Sequence, residues 1–266
     1  MRRIVYALLA SLVASGCPIS AFAEGLSGGW QALPLVTDGA VDKAWVQIGY
    51  GKFVVEKLAD GDAIRTDSDP HGLGLLLYRA QKFGNCQIRV VYKQRDKRSN
   101  SGVYVRIDEG ILKHLDDTHA PAVRDEQGKM TEAGLEIFQN ASEQELGPWY
   151  AVHHGFEIQI CDIAKEHRSR TAAVYSLAES QSLSPKRPDE WKTMIITLDG
   201  TAIRVDVDGE QVTTFDSEDK HLPQERVWFE PKREPKRPTV GYLGLQTHDP
   251  GDVVYFKEIS VRPLGK

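Results

Sequence analysis

The chain has 266 residues, of which 27% are charged and 41% hydrophobic, with a formal net charge of −5 and a pI near 5.9. That balance supplies no field to hold a polyanion, so nucleic acid is excluded as an expected partner. Past the N-terminus no stretch approaches about 18 continuous apolar residues, and no later segment is expected to span a membrane.

Residues 1–23 read as a targeting segment. Arg2 and Arg3 give a positive start, residues 4–14 form an apolar run too short for a permanent span, and Ala21-Phe22-Ala23 is a small-x-small cleavage site. The mature chain is then expected to begin at Glu24 and to be periplasmic or secreted, with residues 24–266 forming one domain. Ala14-Ser15-Gly16-Cys17 is an approximate lipobox whose cleavage would leave a lipid anchor on Cys17. Ala14 stands where Leu is usual, and the complete site at 21–23 favours soluble export. The remaining cysteines, Cys86 and Cys161, fall inside predicted strands, where burial as free thiols is favoured over a disulfide. No CxxC or HExxH spacing points to zinc.

Period-two segments rich in Val, Ile, Tyr and Phe predict strands over 52–57, 73–78, 86–93, 102–107, 156–161, 172–176, 193–198, 202–207, 241–246 and 253–261. Asp199-Gly200 and Asp208-Gly209 are hairpin signals, so 193–213 reads as three strands joined by two tight turns. Short strands with frequent turns predict an all-β sandwich or barrel, and the lack of alternating helical segments excludes a parallel α/β sheet.

Two segments interrupt the pattern. Residues 108–152 are polar, without alternation, and carry one short predicted helix near 130–139; an insert of that length in a compact domain is usually functional or disordered. Residues 230–238 repeat Glu-Pro-Lys-Arg in spirit, and their prolines predict an extended, charged surface loop, read as a solvated connection in preference to a lid or partner site.

Three strands concentrate the chemistry. In Gly155-Phe156-Glu157-Ile158-Gln159-Ile160-Cys161-Asp162, Glu157, Gln159 and Cys161 share one face, and a bulge near Cys161 would turn Asp162 onto it. Polar groups on one face suit a wet cleft, where Glu157 exchanges a proton and Asp162 raises its pKa. A solvent-facing edge strand accounts for the run equally well. In Asn100-Ser101-Gly102-Val103-Tyr104-Val105-Arg106, Gly102, Tyr104 and Arg106 share a face. Gly102 leaves room for close approach, Tyr104 can stack on a sugar, and Arg106 can polarise a carbonyl. In Gly241-Tyr242-Leu243-Gly244-Leu245-Gln246-Thr247-His248, Tyr242, Gln246 and His248 lie on one side.

With Glu190-Trp191, Asp208-Gly209 and the closing Val254-Tyr255-Phe256-Lys257-Glu258-Ile259, these runs resemble, in order, the motifs of the 3-keto-disaccharide hydrolase family. The resemblance covers roughly residues 45–264. Departures are Ala172 for the glycine of a TGxxY segment, Lys192 for an Asn after Trp191, and Asp208 in an NG turn; these read as turn or packing positions. The resemblance implies a concanavalin A-like jelly roll of two curved antiparallel sheets, with a concave face for a carbohydrate substrate.

It also implies cleavage of a glycoside already oxidised to a ketone at C3, by proton removal at C2 and elimination or net hydrolysis. Glu157 or His248 would act as base or acid, Arg106 and Gln159 would stabilise the enolate, and Asp162 would tune Glu157 or join it, Gln159 and His248 around a divalent metal ion. Asn100, Tyr104, Tyr175, Tyr242, Gln246 and His154 complete the expected binding set; Trp149, Tyr150, His153 and His154 at the end of the insert either reach a ligand or close the sandwich edge, and the second reading is at least as strong. Two alternatives stay open: a non-catalytic carbohydrate-binding module on this fold, and a retaining β-glucanase-like site needing two carboxylates about 5 Å apart.

Overall fold

A computed structural model describes residues 29–181, 186–219, 223 and 225–264. The targeting segment 1–23, its alternative anchor Cys17 and the expected start at Glu24 lie outside the described residues.

Two antiparallel sheets stack face to face. The larger takes the order β13 (Glu210–Asp216), β12 (Ala202–Val207), β11 (Lys192–Asp199), β8 (Cys86–Gln94), β15 (Val254–Pro263), β6 (Gly61–Asp67) and β5 (Lys52–Leu58), with β1 (Gln31–Leu33) also paired to β15. The smaller runs β10 (Phe156–Ile160), β9 (Ser101–Ile107), β14 (Gly241–Thr247), β7 (Gly74–Phe83) and β4 (Trp45–Gly49); a short β2–β3 hairpin (Val36–Thr37, Ala40–Val41) stands apart. This is the expected jelly roll.

Alternation explains the larger sheet. Along β8, Cys86, Ile88, Val90, Tyr92 and Gln94 are buried while Gln87, Arg89, Val91 and Lys93 are partly exposed. The predicted hairpins fall in register, Asp199 opposite Ala202 and Val207 opposite Glu210. Asp208 and Gly209 both take positive φ, 52° and 89°, as a two-residue turn of the primed type requires.

The smaller sheet differs: β9, β10 and β14 are buried at every position. Their aliphatic residues Val103, Val105, Ile158, Ile160, Leu243 and Leu245 join the inter-sheet core. Their opposite face is covered by the 108–152 insert, whose Ile111, Phe138, Ala141, Trp149 and Val152 pack on Leu75, Tyr104 and Ile107. The insert is thus structured. It holds a 3-10 turn (Glu109–Lys113), α1 (Glu132–Glu143) and α2 (Pro148–His154). Thr131 caps α1, its Oγ1 accepting the Gly134 N–H at 3.1 Å, and Pro148 opens α2 where no N–H partner is needed.

Two expectations are corrected. Residues 172–176 form no strand, because Ala172 and Ser176 sit at φ 70° and 63° and only Val174 bridges, to Ile158 and Ala178. The 230–238 loop is not simply solvated. Lys232 Nζ donates to Glu145 Oε1 (2.9 Å) and to the Glu143 carbonyl (3.0 Å), while Arg237 Nε donates to the Gly155 carbonyl (2.7 Å) and the guanidinium lies over the Phe156 ring at 5.3 Å. These bonds strap the loop to the insert and to β10. Cys86 and Cys161 are free thiols.

Candidate active site

Strand β10 sends Phe156, Ile158 and Ile160 into the inter-sheet core, so Glu157 and Gln159 face the insert. Pairing with β9 sets Glu157 opposite Tyr104 and Gln159 opposite Gly102. The Glu157 side chain lies across Gly102: a Cβ there would stand 2.2 Å from Glu157 Oε1 and 2.7 Å from Cγ. The space Gly102 leaves is therefore taken by the chain's own carboxyl.

Behind it runs a short relay. Gln246 Nε2 donates to Tyr104 Oη, and Tyr104 Oη–H donates to Glu157 Oε2, both at 2.9 Å. Oε1 of the same carboxyl is buried without a partner. Burial raises the Glu157 pKa to about 7, against the opposing pull of the Tyr104 hydrogen bond, the His248 charge and Gln246. Burial and the neighbouring Glu157 charge hold the Tyr104 hydroxyl well above its ordinary value, so it stays a donor.

His248, just past β14, places Nδ1 3.0 Å from Asp252 Oδ2, which also accepts the Asp249 N–H at 3.0 Å. Burial alone would lower the imidazole pKa, but the Asp252 hydrogen bond and the charges of Asp249, Asp252 and Glu157 outweigh it and raise the value. With Nδ1 committed to Asp252, Nε2 is the nitrogen offered to a ligand.

A cavity of about 370 Å³ gathers Asn100, Glu157, Gln159, Tyr175, Gln246 and His248. Four buried polar atoms of its lining have no partner among the described residues: Asn100 Oδ1, Glu157 Oε1, Gln246 Oε1 and Trp149 Nε1. Buried polar groups are normally satisfied, so a ring of orphans around one hollow marks a place for a polar ligand. Gln159 Oε1 accepts the Ile160 N–H at 3.1 Å, and the side chain lines the cavity. Another hollow, of about 410 Å³, is lined by Arg168, Glu179, Glu230 and Arg233, which pair among themselves.

Four expected members stand elsewhere. Arg106 is turned away by a bulge. Between the pairs Tyr242–Ile107 and Gly244–Tyr104 β9 carries one extra residue, and Arg106 takes φ 53°. It is 1% exposed, with Nε and one Nη unpartnered and Cys86 and Asp199 as its electrostatic neighbours.

Asp162 lies past the end of β10. It accepts Thr171 Oγ1–H at 2.5 Å and Lys192 Nζ at 2.6 Å, so both oxygens are occupied away from Glu157. Lys192 is fully buried and also donates to Gln94 Oε1 at 2.9 Å, making this an internal ion pair rather than a turn position.

Tyr242 shares the face of Gln246 but packs within the cluster under the insert. His154 bonds Glu145 at 2.8 Å and stacks on Tyr150 at 4.2 Å. Of its neighbours, His153 is buried between the Ser142 carbonyl (3.0 Å) and the Lys232 N–H (3.1 Å), and Tyr150 donates to Asp108. Only Trp149 of that group reaches the cavity.

No group of three or more His, Cys, Asp and Glu able to hold a metal occurs among the described residues. Of the set expected around a divalent ion, Glu157, Gln159 and His248 share the cavity, while Asp162 is spent on Thr171 and Lys192. Sequence reasoning did not assign the insert and loop side chains Met130, Leu135, Phe138, Trp228 and Phe229, nor Asp252 as the partner of His248. The His-x-x-x-Asp spacing was the available signal for Asp252.

Solved structures bear the same fold. A candidate glycosyl hydrolase of Parabacteroides distasonis ATCC 8503 superposes with a TM-score of 0.53 at 20% identity, over 79% of this chain and 90% of that one. Another from the same organism has a TM-score of 0.53 at 17% identity, over 89% and 94%. A Bacillus subtilis protein of unknown function with a galectin-like fold gives 0.51 at 13% identity, over 86% and 93%. No curated protein matches the chain. Residues 29–262, which include both sheets, the insert and every cavity residue named above, match the 3-keto-alpha-glucoside-1,2-lyase-like domain, and the chain belongs to that family.

Proposed function

We propose that the cavity cleaves a 3-keto-glycoside by elimination across C1 and C2. The observation that carries this reading is Glu157 Oε1, a buried, unpartnered carboxyl oxygen of a group titrating near 7, facing the His248–Asp252 pair across one hollow. A ketone at C3 makes the C2 proton acidic enough for such a base.

Glu157 Oε1 takes the C2 proton, and the electron pair moves into the C2–C3 enolate. The Gln159 amide nitrogen is the donor placed for the C3 oxygen, where charge develops. As the enolate collapses the C1–O bond breaks, and protonated His248 gives its Nε2 proton to the departing oxygen, leaving a 2-hydroxy enone. Water then adds at C1 with His248 as base, and Glu157 returns its proton to C2, which makes the sum a hydrolysis. Gln246 Oε1 and Asn100 Oδ1 accept hydroxyls of the sugar ring. Tyr104 holds the Glu157 carboxyl in place without touching substrate.

Steady-state turnover of a 3-keto-glucoside tests the assignment. Glu157→Gln and His248→Ala should each lower kcat by about 100-fold to 10,000-fold. Turnover retained in both variants overturns it, and tight binding without product in the wild type supports a carbohydrate-binding module instead. Asp162, the partner carboxylate that a retaining-glycosidase reading of β10 would use, is bound to Lys192. We further propose export through residues 1–23; an N-terminus at Glu24 in the mature protein supports it, and a lipid on Cys17 replaces it.

A further inference from the structure

The two sides of the cavity differ in chemistry, and their assignment to sugar ring and leaving group rests on the cleavage proposed for this site. On the sheet side, Glu157 Oε1, Gln246 Oε1 and Asn100 Oδ1 are unpartnered acceptors, a match for the hydroxyls of one sugar ring. The other side is built by the insert and the segment after Arg226: Met130, Leu135, Phe138, Trp149, Trp228 and Phe229. Among these six, the strong hydrogen-bonding groups are two indole N–H donors; there is no strong side-chain acceptor.

The rings form a continuous series. Phe138 and Trp228 lie 6.0 and 5.9 Å from Trp149, and Phe229 stands 5.4 Å from Trp228, centroid to centroid. Leu135 and Phe229 remain 46% and 43% exposed, although both line the cavity. A second sugar seated against these six would bury several hydroxyls on carbon, with two donors and no strong acceptor among them; Asp249, also in the lining, is engaged by Arg124 at 3.2 Å, and unpaired buried hydroxyls are costly. An apolar group has no such penalty and removes two exposed apolar side chains from water.

We infer that the leaving-group side of this site takes an apolar, ring-bearing aglycone, so that the substrate class is the 3-keto-glycoside of a hydrophobic alcohol rather than a disaccharide.

The test compares two 3-keto-α-glucosides, one of 2-phenylethanol and one of glucose; the sugar is the more acidic leaving alcohol, so a preference for the phenylethyl compound cannot come from leaving-group acidity. The kcat/KM for the phenylethyl compound should be about tenfold higher or more. Leu135→Ser and Phe229→Ser, which touch no reacting atom, should each lower that value about threefold to tenfold through KM and lower the disaccharide value less. Equal or better use of the disaccharide, or an equal loss on both substrates in the variants, overturns the inference. If neither compound is turned over, the cleavage reading fails. Calorimetry with the same pair then decides the aglycone question alone: tighter binding of the phenylethyl glucoside sustains it, and equal or weaker binding overturns it.

Discussion

The Glu157 carboxyl owes its position to an absent side chain. Because a Cβ on Gly102 would fall 2.2 Å from Oε1, Gly102→Ala must swing Glu157 off its seat and away from Tyr104. The expected result is a loss of turnover of about 100-fold or more, with a stability cost of no more than about 3 kcal/mol, read by kinetics beside urea melts. The same carboxyl strains the fold at high pH. Its folded pKa is about 7 against an ordinary 4.5, so between those values the folded chain binds more proton than the unfolded one. Stability contributed by this group is therefore present below pH 4.5 and lost as pH rises to 7, by on the order of 3 kcal/mol for the full shift. Glu157→Gln should be more stable than the wild type at pH 8 and indistinguishable from it near pH 4, in paired urea melts. Equal stability at pH 8 would mean the carboxyl is not desolvated.

Two elements carry ionisable groups whose task is to fix the walls of the site. His153 in α2 joins the Ser142 carbonyl of α1 to the Lys232 N–H of the strap, and burial, helped by the Lys232 charge, lowers its pKa to about 4. The unfolded chain then binds more proton between about 4 and 6.5, so the stability His153 confers is full above pH 6.5 and lost as pH falls to 4. Protection factors of the α2 amides, the exchange rates corrected for intrinsic pH dependence, should fall as pH drops through that window, and His153→Gln should flatten the dependence. At the end of β10, Asp162 pairs with Lys192, which is 0% exposed. Asp162→Ala leaves that ammonium buried without its partner and should cost about 3–5 kcal/mol. The folded fraction should keep most of its kcat, because Asp162 lies outside the cavity; a loss like that of Glu157→Gln would return it to the reacting centre.

Counting alternate residues located Glu157 and Gln159 on one face of β10 and failed at Arg106, one strand away. The count was sound until the extra residue in β9, whose bulge depends on pairing with β14. Lys192 illustrates the same limit. In isolation it occupies a turn-like position after Trp191, and its carboxylate partner comes from 30 residues earlier in the chain. Strands β4 and β6 escaped notice because their alternation mixes Gln, Asp, Arg and Thr with the apolar residues.

Across the whole molecule, the larger sheet supplies one side of the core, and the smaller sheet is a shared wall between that core and the site. The proposed elimination needs Glu157 ionised and His248 protonated at once. Turnover should rise as pH passes about 7, where Glu157 loses its proton, and fall again as His248, raised above its ordinary 6.5, loses its own. Asp252→Asn removes the charge that raises His248, so the alkaline limb should move to lower pH while the acid limb stays in place. A profile with an unmoved alkaline limb would take His248 out of the proton transfer.

The amino-acid sequence alone determined the stacked sheets, the hairpins of the larger one, and the division of β10 into aliphatic and polar faces. These follow from period-two alternation and turn residues, which act over a few positions and read the same in any context. Only the tertiary structure decided which polar groups share a hollow: it brought His248 and Asp252 toward Glu157, closed the site with Phe138, Trp149 and Trp228, and sent Arg106 and Asp162 elsewhere. Convergence of that kind depends on bulges, buried ion pairs and the docking of a distant insert, whose partners are fixed by packing across the chain rather than by neighbours in it.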